Sequence, residues 1–191
     1  LGFKKAEAGV TVDLEAGESY GTDSGDIANV GHDTITGGVS QVRGSGYNDV
    51  IYGSDTTDWP LASGVGYSTH EWEQFRGEGG DDYIDGRGGI DRANYWNSPD
   101  AIVVNLSDTT ETYSGQFVAA GQALDGFGGT DTLVNIEHIL ASNFDDVLVG
   151  SSNADRLIGL DGDDILVGGD GDDDLIGGAG NDTIYTGDNT G

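Results

Sequence analysis

Written in rows of nine, residues 141–185 read ASNFDDVLV (141–149), GSSNADRLI (150–158), GLDGDDILV (159–167), GGDGDDDLI (168–176) and GGAGNDTIY (177–185). Each row has Asp at position 6, as Asp146, Asp155, Asp164, Asp173 and Asp182, and an aliphatic residue at position 8, as Leu148, Leu157, Leu166, Leu175 and Ile184. Positions 1 to 6 are rich in Gly, Asp and Asn, which tolerate left-handed backbone angles, so they predict a turn. Positions 7 to 9 predict a short β-strand with residue 8 inward and residues 7 and 9 outward. Two rows then make one turn of a flattened right-handed coil, and equivalent loops on one edge lie 18 residues apart.

That spacing sets Asp146 beside Asp164, Asp155 beside Asp173, and Asp164 beside Asp182, on strands stacked about 4.8 Å apart. Paired carboxylates at that separation repel when bare. With loop carbonyls aimed at the same gap they would form an all-oxygen cage, which suits calcium, with its six to eight oxygen ligands at about 2.4 Å, better than zinc. A single Asp in such a loop could simply make an Asx turn; five in phase favour a cation. An EF-hand also alternates Asp as in Asp170, Asp172 and Asp174, but here Leu175 stands where its loop needs Gly, and Asn181 where it needs Glu.

Outside the block the same phase returns at GEGGDDYID (77–85) and GRGGIDRAN (86–94), with Asp82 and Asp91 at position 6 and Ile84 and Ala93 at position 8. YWNSPDAIV (95–103) keeps Asp100 and Ile102 in register without the glycines. GSGYNDVIY (44–52) supplies Asp49 and Ile51, while GSDTTDWPL (53–61) puts Pro60 at the inward position and predicts that the coil ends there. GFGGTDTLV (126–134) adds Asp131 in a shifted phase. Larger units recur: VTVDL (10–14) aligns with IVVNL (102–106), GHDTI (31–35) with GTDTL (129–133), and VSQVRGSGYNDVIYGS (39–54) with IEHILASNFDDVLVGS (136–151).

The expected organisation is therefore all-β, a right-handed parallel β-roll or β-solenoid of two imperfect cassettes, 1–76 and 77–191, with irregular insertions at 55–76 and 107–125. Nothing precedes Val10 that matches rows 77–94, so the first cassette's glycine-loop rows are expected upstream of residue 1, and the chain reads as a segment of a larger protein. The insertions hold Trp59, Tyr67, His70, Trp72, Phe75, Tyr113 and Phe117. Loop aromatics such as these, with Trp96, could stack on sugar rings; more often they cap a solenoid or cover its interruption. Outward position 9 is apolar at Val149, Val167 and Tyr185 on one sheet and at Ile158 and Ile176 on the other, so at least one sheet is expected to be covered, by 107–125 or a neighbouring domain.

The 191 residues include 35 Gly and 35 acidic residues against 7 Lys or Arg, for a formal charge of -28. Lys4, Lys5, Arg43, Arg76, Arg87, Arg92 and Arg156 read as too scattered for the basic patch that nucleic acid or an anionic membrane requires. No apolar run is long enough to predict a membrane span. The absence of Cys removes disulfides and thiolate metal sites. Catalytic motifs also fail: His70-Glu71 lacks the second His of H-E-x-x-H because Gln74 takes its place, and GSSNA (150–154) and GYSTH (66–70) each miss the last Gly of G-x-S-x-G. His32 and His138 sit in strand-like sequence. Catalysis is not expected.

With Gly early, Asp at 6 and an aliphatic residue at 8, the rows resemble the RTX (repeats-in-toxin, hemolysin-type) family of calcium-binding nonapeptide repeats; GGDGDDDLI and GGAGNDTIY match at every fixed position. The resemblance implies several bound Ca2+ ions and ligation by carbonyls at positions 1 and 3, here Gly159, Asp161, Gly168, Asp170, Gly177 and Ala179. The residues alone do not distinguish these carbonyls from those at positions 2 and 4. The resemblance further implies a secreted or surface bacterial protein of adhesin or toxin type, exported unfolded by a type I channel and folding on calcium outside the cell. Its expected partners are calcium and flanking domains of the same polypeptide. The alternative is a module that uses calcium as a scaffold and binds extracellular polysaccharide.

Overall fold

The computed structural model describes residues 1–22, 29–36, 39–55, 72–113 and 115–187. All regular structure there is strand, in pieces of three to six residues numbered in chain order. This is what dense Gly and Asp dictate, since turn residues interrupt every hydrophobic triplet before a helix could propagate. A smaller sheet is wholly parallel, in the order β4 (Gln41–Arg43), β6 (Trp72–Arg76), β8 (Ile90–Asn94), β14 (His138–Leu140), β16 (Arg156–Asp161) and β18 (Asp174–Ala179).

The larger sheet runs β19 (Thr183–Tyr185), β17 (Ile165–Val167), β15 (Val147–Val149), β9 (Val103–Asn105), β12 (Gln122–Leu124), β13 (Thr130–Val134), β7 (Tyr83–Asp85), β5 (Val50–Tyr52), β1 (Val10–Asp13), β2 (Glu18–Gly21) and β3 (His32–Thr34). It is parallel except where β12 pairs antiparallel with both β9 and β13, and where β1, β2 and β3 pair antiparallel. Strands from both halves of the chain lie in the same two sheets.

Along 141–185 the chain alternates between sheets, and the 18-residue stagger holds: Val147 pairs with Ile165 and Ile165 with Thr183, while Arg156 pairs with Asp174. Position 8 forms the core. Leu148, Leu157 and Leu166 are fully buried, in one core with Val12, Ile51, Ile84 and Val104 of the larger sheet and Phe75, Ala93 and Ile139 of the smaller. Ile184 is 43% exposed because no described coil stacks beyond it.

Four expectations change. The coil does not stop at the row starting at Gly53: Trp72–Arg76 is a strand of the smaller sheet, and Phe75 fills the inward place rather than belonging to an irregular insertion. Trp59, Pro60, Tyr67 and His70 lie outside the described residues. In the row without glycines, Val104 rather than Ile102 faces Leu148, so the phase slips by two residues and Asp100 is exposed on a bend. Its carboxylate accepts the Ala101 N–H at 2.9 Å. The slip arises because Ser98 ties this turn together, its hydroxyl reaching the Asp100 and Asp125 carbonyls at 2.7 and 3.0 Å.

Residues 107–125 are likewise not irregular. They form a ribbon of β10 (Glu111–Tyr113) and β11 (Gln116–Val118), and then β12 enters the larger sheet. Val118 packs on Val103, Val147 and Val149, with Leu124, Ile165 and Val167 beside them. This covers the apolar outer face of the larger sheet from within the chain, whereas Tyr185 and Ile176 stay exposed.

Candidate metal centre

Every coil passes from glycine loop to strand at position 6, so the position-6 residues of one edge stack. Along the edge entering the larger sheet, the Ile102 N–H donates to Asp146 Oδ1 at 2.7 Å, the Asp146 N–H to Asp164 Oδ1 at 2.8 Å, and the Asp164 N–H to Asp182 Oδ1 at 3.1 Å. The same relay joins Val10 to Asp49, Asp49 to Asp82, and Asp82 to Asp131, at 2.7, 2.8 and 3.1 Å. On the opposite edge the Asp155 N–H reaches Asp173 Oδ1 at 3.0 Å and the Glu73 N–H reaches Asp91 Oδ1 at 3.3 Å. The expected neighbours are thus brought together.

One carboxylate oxygen is spent on this relay; what happens to the other differs between loops. Asp82 Oδ2, Asp91 Oδ2, Asp125 Oδ2, Asp164 Oδ2, Asp173 Oδ2 and Asp155 Oδ1 are buried with no hydrogen-bond donor. Leaving a buried acceptor unpaired is costly, and a carboxylate more so, which makes these six oxygens cation-seeking. The first loop residue lies against the same oxygen: a Cβ on Gly159 would meet Asp164 Oδ2 and stand 2.6 Å from the Gly177 carbonyl, and one on Gly168 would meet Asp173 Oδ2. Gly is required there because oxygens converge on that space. In contrast Asp49 and Asp146 are satisfied. Ser45 gives Asp49 its N–H at 2.6 Å and its hydroxyl at 2.8 Å, and Ser142 does the same for Asp146 at 2.7 and 2.8 Å. Asp131 is also closed, since Tyr95 donates its hydroxyl to Oδ2 at 3.0 Å.

The carbonyls implied at positions 1 and 3 divide similarly. Those of Gly168 and Gly177 turn toward the first residue of the preceding coil on their own edge, next to the Asp155 and Asp164 carboxylates. Asp161 and Ala179 pair across β16 and β18, where the Ala179 carbonyl accepts the Gly162 N–H at 2.9 Å. Asp170 is exposed on its loop.

Electrostatics agree with a missing counter-charge. Burial, followed by repulsion from Asp131, Asp49 and Asp125, pushes Asp82 up to about 8. Burial with Glu73 and Glu137 nearby pushes Asp91 up to about 8. Asp131 rises to about 7, and Asp146, Asp155 and Asp164 to about 6, burial being the first cause in each. Among the described residues no group of three acidic or histidine side chains converges on one point. Any cation cage must therefore combine carboxylates with main-chain oxygens, as calcium accepts.

Three acidic residues of these files are not among the expected ligands: Glu73 and Glu137 stand at position 6 of the nine-residue phase, nine residues before Asp82 and Asp146, with Phe75 and Ile139 at position 8, whereas Asp125 lies outside that phase. Glu73 lies within β6, and Glu137 precedes β14, where its Oε2 accepts the Asp91 N–H at 2.9 Å. Asp125 is buried after β12, and its Oδ1 accepts the N–H groups of Phe127, Gly128 and Gly129. The available signal for Glu73 and Glu137 was the nine-residue phase itself, with Glu in place of Asp at position 6.

The basic residues are not scattered in space. Positions 7 and 9 of the smaller sheet put Arg43 beside Arg76, and the file Arg92, His138, Arg156 along neighbouring strands. Arg92 lies 3.8 Å over the Trp72 ring and Arg76 lies 5.4 Å over Trp96. Glu78 pairs with Arg43, and Asp174 pairs with Arg156 at 3.1 Å. Burial, Arg92 and Arg156 push His138 down to about 4, so it is neutral at physiological pH.

Two sheets wound as one coil, with stacked carboxylates and converging carbonyls at the loops, define the chain as a calcium-binding β-roll. The family model of the RTX calcium-binding nonapeptide repeat matches it in four copies, at residues 41–59, 74–93, 140–175 and 167–190. In these stretches the chain belongs to that family. A search of curated proteins gave no match. Among the described residues no helix is long and apolar enough to cross a membrane.

Proposed function

We propose that this chain is a non-catalytic module that folds on calcium binding outside the cell, within a larger secreted or surface bacterial protein of adhesin or toxin type. The observation that carries this is the set of six buried aspartate oxygens without a donor, at Asp82, Asp91, Asp125, Asp155, Asp164 and Asp173, in a chain of charge -28. Calcium bound there neutralises repelling pairs and ties successive coils, so binding free energy becomes folding free energy. Sites of extracellular modules typically bind at about 10⁻⁴ to 10⁻³ M. The chain would stay open in a low-calcium cytoplasm, pass a type I channel, and close outside. Calorimetric titration of the chelator-treated chain tests this: uptake of several ions per chain is expected, and no heat of binding at millimolar calcium would end the proposal.

The arginine and tryptophan face of the smaller sheet favours a second reading, binding of an acidic polysaccharide on a calcium-built scaffold. Trp96 is 48% exposed, and no ion pair of Arg92 is found among the described residues. Guanidinium groups pair with sugar carboxylates, and indole rings stack on sugar faces. Retention on a polyuronate gel that is lost in Arg92→Ala and Trp72→Ala would favour this reading. No glycan binding at any calcium concentration would leave the scaffold role alone.

A further inference from the structure

The loops fall into two conformational classes, separated by their second residue. In the loops starting at 77, 86, 159, 168 and 177, residue 2 is left-handed, with φ of 77° at Glu78, 65° at Arg87, 82° at Leu160, 99° at Gly169 and 118° at Gly178. Residue 4 of each is Gly and also left-handed, from 117° at Gly89 and Gly171 to 143° at Gly180. In the loops starting at 44, 53, 141 and 150, residue 2 is Ser45, Ser54, Ser142 or Ser151, none of them left-handed. Each of these serines turns its N–H, at 2.6 to 2.8 Å, and its hydroxyl, at 2.8 to 2.9 Å, onto the carboxylate that ends its loop. For Ser54 that carboxylate is Glu73, across the insertion.

We infer that the serine-bearing loops ending in Asp49, Glu73 and Asp146 take no calcium, and that ligation falls to the left-handed loops ending in Asp82, Asp91, Asp164, Asp173 and Asp182, with Asp155 and Asp125 joining through their free Oδ1 and Oδ2. This rests on the calcium reading above and narrows it, since the family match spans loops of both kinds. Donors and a cation compete for the same lone pairs. A carboxylate both of whose oxygens already hold N–H or O–H donors faces the positive ends of those dipoles and gains little from a metal. At Asp82, Asp91, Asp164 and Asp173 the second oxygen is buried with no donor, and there a cation repays the burial. Asp155 is the mixed case: Ser151 holds Oδ2, but the Glu137 N–H that would reach Oδ1 goes to the Asp91 carbonyl at 3.2 Å instead. Serine therefore acts as an internal substitute for calcium, holding alternate parts of the roll without it.

The test is calcium stoichiometry by calorimetry on the whole chain. Asp164→Asn should lose at least one ion per chain, while Asp146→Asn should bind the wild-type number. If Asp146→Asn does not fold, Ser142→Ala, which keeps the carboxylate, should also bind the wild-type number. The triple variant Ala141→Gly/Ser142→Gly/Phe144→Gly, which rebuilds the left-handed pattern and clears the first loop position, should gain one ion. Equal losses in Asp146→Asn and Asp164→Asn, or no gain in the triple variant, would overturn the division while leaving calcium binding intact. A wild-type chain that takes up no calcium would instead remove the reading beneath it.

Discussion

Asp164 and Asp174 carry the same charge but occupy different positions in the roll. Asp164 is buried between Asp146 and Asp182 with one oxygen unpaired, whereas Asp174 is at outward position 7 of β18, 58% exposed and paired with Arg156. Asp164→Ala is expected to raise the half-saturating calcium concentration by about tenfold or more, since losing one ligand costs upward of ~1.4 kcal/mol. Asp174→Ala should change it little, because exposed ion pairs contribute about 0 to 1 kcal/mol. Calcium titrations of both variants measure this, and equal effects would mean that the phase is misassigned. Backbone strain gives a second contrast. Gly162 has φ of 134° and packs with no room for a Cβ against Phe144, while Gly46 has open space around it. Gly162→Ala should destabilise the calcium-loaded chain by roughly 1 to 3 kcal/mol and Gly46→Ala by under about 1, read from urea midpoints. The position-6 file was legible because a fixed 18-residue stagger places its members without knowledge of the fold. Glu73 was missed although it stands nine residues before Asp82, because Glu replaces Asp there and no glycine leads into it; its partner Ser54 lies 19 residues away.

At the level of elements, each nine-residue row contributes one inward side chain, so a single truncation removes half of a coil's layer of core. Leu166→Ala should cost about 2 to 5 kcal/mol in calcium-loaded urea unfolding. A cost under about 1 kcal/mol would mean that position 8 does not form the core. Strands with a local repeat were readable from period alone, with Leu148, Leu157 and Leu166 all buried as expected. The row lacking glycines misled, because Ser98 closes a different turn and delays the strand by two residues, moving Asp100 out of the file. The outer cover was anticipated from the apolar position-9 residues, and Val118 supplies it. The arginine face was not legible, since Arg92 and His138 become neighbours across 46 residues of chain, and only strand order brings them together.

For the whole molecule, charge and core size act together. One inward side chain per nine-residue row is small beside the backbone entropy of nine residues, at about 1 to 2 kcal/mol each, and buried carboxylates without counter-charge add repulsion. Their folded pKa values lie above the ordinary carboxylate value, near 6 for Asp146, Asp155 and Asp164 and near 8 for Asp82 and Asp91. Protons therefore favour the metal-free coil below pH 4, and that support is lost as pH rises through 6 to 8. Calcium must displace those protons, so the half-saturating calcium concentration should fall as pH is raised from 6 to 8. Titrations at the two pH values check the sign, and an affinity that weakens on raising the pH would contradict it. The most direct measurement is far-ultraviolet circular dichroism of the whole chain at pH 7.5, first in EDTA and then through a calcium titration into the millimolar range. A disordered spectrum in EDTA with a cooperative rise of β-structure on adding calcium is predicted; a complete β-spectrum in EDTA that calcium leaves unchanged would contradict the coupling of folding to the metal.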